Sequence, residues 1–240
     1  MARAEGDDPV VENQKMNALN IKALVGLLQL LVIMALLIFV PAGTLDYPQA
    51  WIFLAVFFTP VLAITVYLMK NDPKLLERRI SAGPSAEKEK SQKIIQFLAM
   101  ADFIAVMLIP AFDHRFGWSA VPPYVSAMGN ILVVLGFLIV FLTFKENTFT
   151  SAIIEVGAGQ KIISTGPYAH VRHPMYIGAL IMLVGLPLAL GSWWGLLTVV
   201  AMTLVIIWRL LGEEKFLARN LAGYCEYQNA VRYRLLPFVW

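Results

Sequence analysis

The stretch TGPYAHVRHPMYIG, residues 165–178, sets a dense polar cluster between two apolar runs of membrane length. Polar and ionisable groups at bilayer depth cost free energy, so a chain that carries them there usually uses them. Tyr168, His170, Arg172, His173 and Tyr176 supply the functional groups, while Gly166, Pro167, Pro174 and Gly178 shape the backbone. Gly166-Pro167 predicts a turn. Pro174 disfavours helical geometry at His173, so Arg172-His173 is expected to be extended, with a helix starting at or near Pro174. The N–H groups of that helix start would face the same place as His173 and Tyr176, and would suit a carboxylate or other electron-rich ligand group.

The composition around this stretch is that of an integral membrane protein. Hydrophobic residues make up 59% and charged residues 15% of the 240, with a mean hydropathy of +0.69. A soluble domain is about 45–50% apolar and about 25% charged. The formal charge of +3 does not indicate nucleic acid, because the charges sit in loops at one end of the apolar segments. The single cysteine, Cys225, excludes an internal disulfide and a multi-cysteine metal site, and a packing role in a helix near the membrane surface is expected. The polar residues 1–17 read as a frayed tail, within a cytoplasmic N-terminal tail of 1–20. They are not a cleaved signal peptide, since the apolar run that follows is too long and lacks a small-residue cleavage site.

A membrane span needs about 20 mostly apolar residues. Spans are predicted at 21–40, 50–69, 94–112 and 125–144, with a short fifth at 176–190 broken by Pro187 and a sixth at about 195–211. Gly191-Ser192 turns the last two into a hairpin, with Trp193 and Trp194 at the interface. The basic residues fall on one side: Lys70, Lys74, Arg78, Arg79, Lys88, Lys90 and Lys93 after the second span, Lys145, Lys161 and Arg172 after the fourth, and Lys215, Arg219, Arg232 and Arg234 after the sixth. The opposite loops hold only Arg115. Both termini and the polar cluster are therefore expected on the cytoplasmic side. Residues 213–232 mix charged and apolar positions at helical spacing and predict an amphipathic surface helix weakened near Gly223. The apolar end, RLLPFVW, is expected to pack back onto the bundle. No repeat or heptad seam is evident. The fold class is an all-α polytopic bundle of about six spans, with a C-terminal amphipathic helix.

Arg209 and Glu213 are four residues apart near the end of the sixth span, so they share a helix face. Opposite a helix N-terminus they could hold a zwitterion: Glu213 takes its amine and the N–H groups its carboxylate. Arg209 would then be left for an anionic second substrate, to which its planar fork is matched. Other readings stay open on spacing alone. Arg172 could snorkel to interfacial phosphates, and Arg209 with Glu213 could be a structural ion pair. His170 reads as a surface residue. The His170-x-x-His173 pair lacks further ligands on a matching face, so no metal site is expected. Asp102, within the third span, is read as a structural hydrogen-bonding group, and Tyr224 and Tyr227 as interfacial anchors.

TGPYAHVRHPMYIG, the apolar hairpin, then RLLGEEKFL and the Tyr224-x-x-Tyr227 pair together resemble the isoprenylcysteine carboxyl methyltransferase family of membrane enzymes. The resemblance covers roughly the last 85 residues, below typical domain size. It implies a catalytic core at 146–240, to which the four transmembrane helices read from hydropathy at 21–145 add only compatible topology. It also implies S-adenosylmethionine in a pocket capped by the C-terminal segment. Cofactor contacts carried onto matching positions are the strand-like run Gln160, Lys161, Ile162 and Ile163, then Tyr168, His173, Pro174, Met175, Tyr176 and Glu213. Arg209 falls at the methyl acceptor. Gln160 departs from the histidine that eukaryotic members tend to carry, and Glu155 or Gly157 occupies the region of an upstream glutamine contact. The N-terminal half also differs from the eukaryotic layout. The expected setting is the inner or plasma membrane of a prokaryote, and the expected partners are a lipophilic or prenylated acceptor and membrane lipid, with no nucleic acid and no metal.

A carboxylate acceptor needs no general base at neutral pH, whereas an amine or thiol would need His173 or Glu213 to serve. No dedicated base is evident, which favours carboxylate. The rival readings are a phospholipid N-methyltransferase, an NADPH-dependent enzyme like the sterol reductases, and a non-catalytic lipid-binding protein.

Overall fold

The computed structural model describes residues 9–80, 90–154, 156 and 159–240. Glu155, Gly157, Lys88 and residues 1–8 lie outside them. All regular structure among the described residues is helical. Five helices are long and apolar enough to cross a membrane: α1 (Pro9–Ala42), α2 (Pro48–Asn71), α4 (Lys90–Phe116), α5 (Pro123–Glu146) and α7 (Leu196–Asn220). The apolar α6 (Pro174–Ala189) is shorter. Two short helices, α3 (Pro73–Ile80) and α8 (Tyr224–Ala230), complete the set.

The boundaries differ from the sequence reading at three places. α1 begins at Pro9, so residues 9–17 extend the first helix and are not a frayed tail. Nothing in that stretch stops a helix, and hydropathy, which located the span, says nothing about how far a helix runs beyond the bilayer. α7 continues without interruption through Glu213 to Asn220. The expected surface helix at 213–232 is thus divided: its first part is the end of α7 and its second is α8. The division falls at Gly223, whose φ of +83° is a conformation that L side chains rarely adopt. The third difference is α3, which starts at Pro73 and carries Arg78 and Arg79 in its last turn.

The closest helix pair is α5 with α6, and glycines make it possible. A Cβ on Gly129 would lie 2.3 Å from the Ala189 nitrogen, and one on Gly136 would lie 2.5 Å from the Gly178 oxygen. From the other helix, a Cβ on Gly178 or Gly185 would meet the Gly136 or Gly129 carbonyl at 2.8 or 2.6 Å. Both helices therefore carry a heptad-spaced glycine seam, which the sequence reading did not recognise. In lipid, where tails are as apolar as the side chains, such backbone contact is a principal source of helix association. Seating α6 against α5 also positions its N-terminus, and with it His173 and Tyr176.

At the end away from the basic loops, Asp113 is fully buried and accepts hydrogen bonds from the Ser119 backbone N–H and from the hydroxyls of Ser119 and Ser192. The Tyr47 hydroxyl donates to the Leu190 carbonyl there. These contacts close the α6–α7 turn. Asp102 departs from its expectation: its buried Oδ2 has no hydrogen-bond partner. Cys225 is exposed on α8, so packing is not its role.

Candidate functional site

Pro174 stands at the first position of α6, where a missing N–H costs nothing, and His173 caps the helix with non-helical geometry (φ −127°, ψ 61°). The extended Arg172-His173 pair lies alongside the C-terminal segment. The Arg172 N–H donates to the Tyr233 carbonyl at 2.9 Å and the His173 N–H to the Arg234 carbonyl at 3.0 Å. The apolar end packs onto the bundle through buried Leu235 and through Trp240. One part of the anion-site expectation changes, because the Tyr176 N–H is used by the His173 carbonyl at 3.1 Å.

Behind this junction sits a buried ionic cluster centred on Glu214. Arg172 Nε donates to Glu214 Oε1 at 2.6 Å, His173 Nε2 lies 3.2 Å from the same oxygen, and Arg234 Nε donates to Oε2 at 2.9 Å. A second arm of Arg172 donates to the Val231 and Arg232 carbonyls at 2.8 and 3.0 Å. Arg172 therefore does not snorkel. It ties α6, α7 and the end of α8 together, and the sequence reading passed over Glu214 in favour of its neighbour. His170 is exposed and does not converge with the buried His173.

On the other side of His173, Tyr176 donates to Glu213 Oε2 at 2.7 Å. A cleft opens here. Gln160, Lys161, Ile162, Ile163, Tyr168, His173, Pro174, Met175, Tyr176 and Glu213 all line it, so the ten positions named as cofactor contacts share one wall system. The run 160–163 is irregular rather than a strand. Tyr224 and Tyr227 also line the cleft and are buried, so they are not interfacial anchors. The Tyr227 hydroxyl donates to the Tyr168 carbonyl at 2.9 Å, which joins α8 to the turn at Gly166–Ala169. Burial pushes the Tyr227 phenol up to about 12 and raises Tyr168 and Tyr224 further, so these groups are neutral donors and not bases.

Arg209 does not line that cleft. It faces a separate space of about 850 Å³, bounded mainly by apolar side chains of α1, α2, α4, α5, α6 and α7. Ligand cavities span about 300–1,000 Å³, so this chamber is large enough for a lipid-sized group. The cleft and the chamber share Met175, Tyr176, Glu213 and loop residues Ser151, Ile153 and Ile154 as their common wall. Arg209 Nη2 donates to the Ala152 carbonyl at 2.9 Å, and Arg79 Nη1 donates to the Ser151 carbonyl at 2.9 Å. The loop after α5 thus hangs from cations on α3 and α7. The sequence reading missed this loop and the α3 arginines, although the polar run NTFTS beyond the fourth span was a signal.

Fold and site together define a polytopic helical membrane protein in which a polar, aromatic cleft meets an apolar chamber across a thin wall. Residues 124–223 match the family model described as phospholipid methyltransferase. The chain is also 34% identical over 125 residues to a probable protein-S-isoprenylcysteine O-methyltransferase from Oryza sativa subsp. indica, and equally to one from Oryza sativa subsp. japonica. Each alignment covers 48% of this chain and 63% of the relative, so the chain spans less than two thirds of the length of these curated relatives. The family model and both relatives are methyltransferases by description, and the isoprenylcysteine type is carried by the two relatives.

Proposed function

We propose that the chain transfers a methyl group from S-adenosylmethionine to a lipophilic carboxylate of the isoprenylcysteine type. The observation that carries this reading is the shared wall: a polar cleft and an apolar chamber separated by Met175, Tyr176 and Glu213. Methyl transfer from a soluble donor to a lipid acceptor needs two such spaces in contact. When bound, S-adenosylmethionine supplies an electrophilic methyl group on a sulfonium sulfur. The residues of the cleft fit that molecule. Glu213 suits its ammonium group, and the rings of Tyr168, Tyr176 and Tyr224 suit a base and a cationic sulfur.

Arg209 would hold the acceptor carboxylate on the chamber side through its guanidinium fork. The acceptor is already ionised, so no general base is required, in keeping with His173 being engaged by Glu214. Residues 146–240 would form the catalytic core, and the helices of 21–145 would contribute chamber walls. The Lys and Arg distribution supports a cytoplasmic cleft and cytoplasmic termini, with the chamber open to membrane lipid.

The test incubates the full chain in nanodiscs with methyl-labelled S-adenosylmethionine and a farnesyl thioether carboxylic acid. A labelled lipid product that releases its label in mild base is the expected ester. A base-stable label on phosphatidylethanolamine would instead support the second reading, phospholipid N-methylation, which the family description favours. No labelled lipid of either kind would sink both.

A further inference from the structure

We propose that Leu236, Pro237, Phe238 and Val239 form a lipid-inserted tip whose partner is the acyl region of the bilayer just beneath the headgroups. The four are consecutive and exposed, with Leu236 at 55%, Phe238 at 89% and Val239 at 76%. Phe238 is the most exposed large apolar side chain among the described residues, and the one non-glycine residue among them at positive φ, +65°. That conformation is unfavourable for a side chain with a Cβ, yet the turn holds the ring outward. The turn is closed rather than loose. The N–H groups of Arg234, Leu235 and Leu236 donate to the Trp240 carbonyl at 2.9, 3.0 and 3.2 Å, and the Tyr233 ring packs on Phe238 at 5.4 Å between centroids. An ordered turn that displays contiguous apolar side chains marks an interaction surface.

Depth decides what covers it. α6 has 16 residues, about 24 Å of helix against a hydrocarbon core of ~30 Å, so it does not span the core. Gly178, in the second turn of α6, faces Gly136, near the middle of the longer α5. α5 therefore runs on beyond the level at which α6 begins. Residues 233–240 are tied to that recessed start. The Tyr233 and Arg234 carbonyls take the N–H groups of Arg172 and His173, and Leu235 and Trp240 pack into the main core of the spanning helices. α8, by contrast, packs into a separate small core with Leu217 and Leu221. The exposed tip thus leaves the spanning core at the depth of the α6 start, where the surroundings are lipid. Arg232, exposed just before this segment, supplies a cation for the phosphates above it. Transfer of the Phe238 ring from water to lipid offsets the strain of its backbone. Because Arg172 and His173 line the cleft, the tip anchors the cleft wall in the bilayer, whatever molecules the cleft and chamber take.

The test places a nitroxide at Phe238→Cys, with Cys225→Ser removing the native thiol, in the full chain in nanodiscs. Relaxation of the label by oxygen, which concentrates in lipid, is compared with relaxation by a water-soluble nickel chelate. Stronger relaxation by oxygen is expected, and equal or stronger relaxation by the chelate would overturn the proposal. Val239→Cys decides in the same way if the Phe238→Cys protein melts below wild type. Anchoring is read separately, by hydrogen exchange at the Arg172 and His173 amides. Phe238→Asp puts a charge at the lipid boundary and should speed their exchange severalfold, while Phe238→Leu stays close to wild type. Unchanged exchange in Phe238→Asp would overturn the anchoring role. Equal acceleration in Phe238→Leu would also overturn it, by assigning the effect to the Tyr233 contact.

Discussion

Glu213 and Glu214 stand side by side on α7, yet their carboxylates meet different partners. Glu213 accepts from Tyr176 at the edge of the cleft, whereas Glu214 is buried among Arg172, His173 and Arg234. Consecutive helix positions are about 100° apart, so one can face a ligand space while the other faces the protein interior. Their substitutions should separate accordingly. Glu213→Ala is expected to weaken S-adenosylhomocysteine binding in calorimetry, and equal affinity in wild type and variant would refute its role. Arg209→Ala is expected to abolish turnover with cofactor affinity retained, because Arg209 lies on the chamber side of the wall. Glu214→Gln should instead destabilise the fold by about 3 kcal/mol, since it leaves the buried Arg172 without its counter-charge. Thermal melting in detergent reads that loss, and an unchanged Tm would show that the cluster is not structural.

At the scale of elements, the approach of α5 to α6 decides where the cleft forms. Gly136 and Gly178 face one another so closely that a Cβ on either would meet the partner's carbonyl. Backbone cannot give way as a flexible side chain can. Gly136→Leu should therefore push α6 from its seat, carry His173 and Tyr176 with it, and cost about 2 kcal/mol or more. The expected readout is lower thermal stability together with weakened S-adenosylhomocysteine binding, although residue 136 does not line the cleft. Retention of both would mean that the two helices are free to slide. The same element-level logic applies to α8 and the C-terminal segment, which hang from Arg172 and from the Tyr227–Tyr168 hydrogen bond. Apolar packing adds to these ties, with Tyr224, Tyr227 and Val231 against Leu217 and Leu221, and Leu235 in the main core.

Over the whole molecule, the N-terminal helices are more than an anchor. α1, α2 and α4 complete the chamber that Arg209 faces, so that space is shared between the two halves of the chain. Gly26 on α1 lines that chamber, and a Cβ built there meets nothing within 4 Å. Gly26→Phe should fill part of the space without a clash. Its expected effect is a rise in KM for a farnesyl acceptor of about tenfold, by exclusion from the pocket, with S-adenosylhomocysteine binding unchanged. A KM equal to that of wild type would show that the lipid chain lies elsewhere.

Much of this arrangement was legible in the residues themselves. The long apolar helices follow from hydropathy, because burying about 20 apolar residues in lipid outweighs the finer details of packing. The start of α6 follows from Pro174, a steric effect confined to two residues. The break at Gly223 also lay in the local chain. The different partners of Glu213 and Glu214, the burial of Arg172, the inward turn of Tyr224 and Tyr227, and the presence of Arg79 beside the apolar chamber were decided by tertiary structure alone. Each depends on which groups, distant in sequence, are brought within hydrogen-bonding distance. A carboxylate or guanidinium carries no mark of its future partner: its role is set by the charges and the dielectric that folding assembles around it.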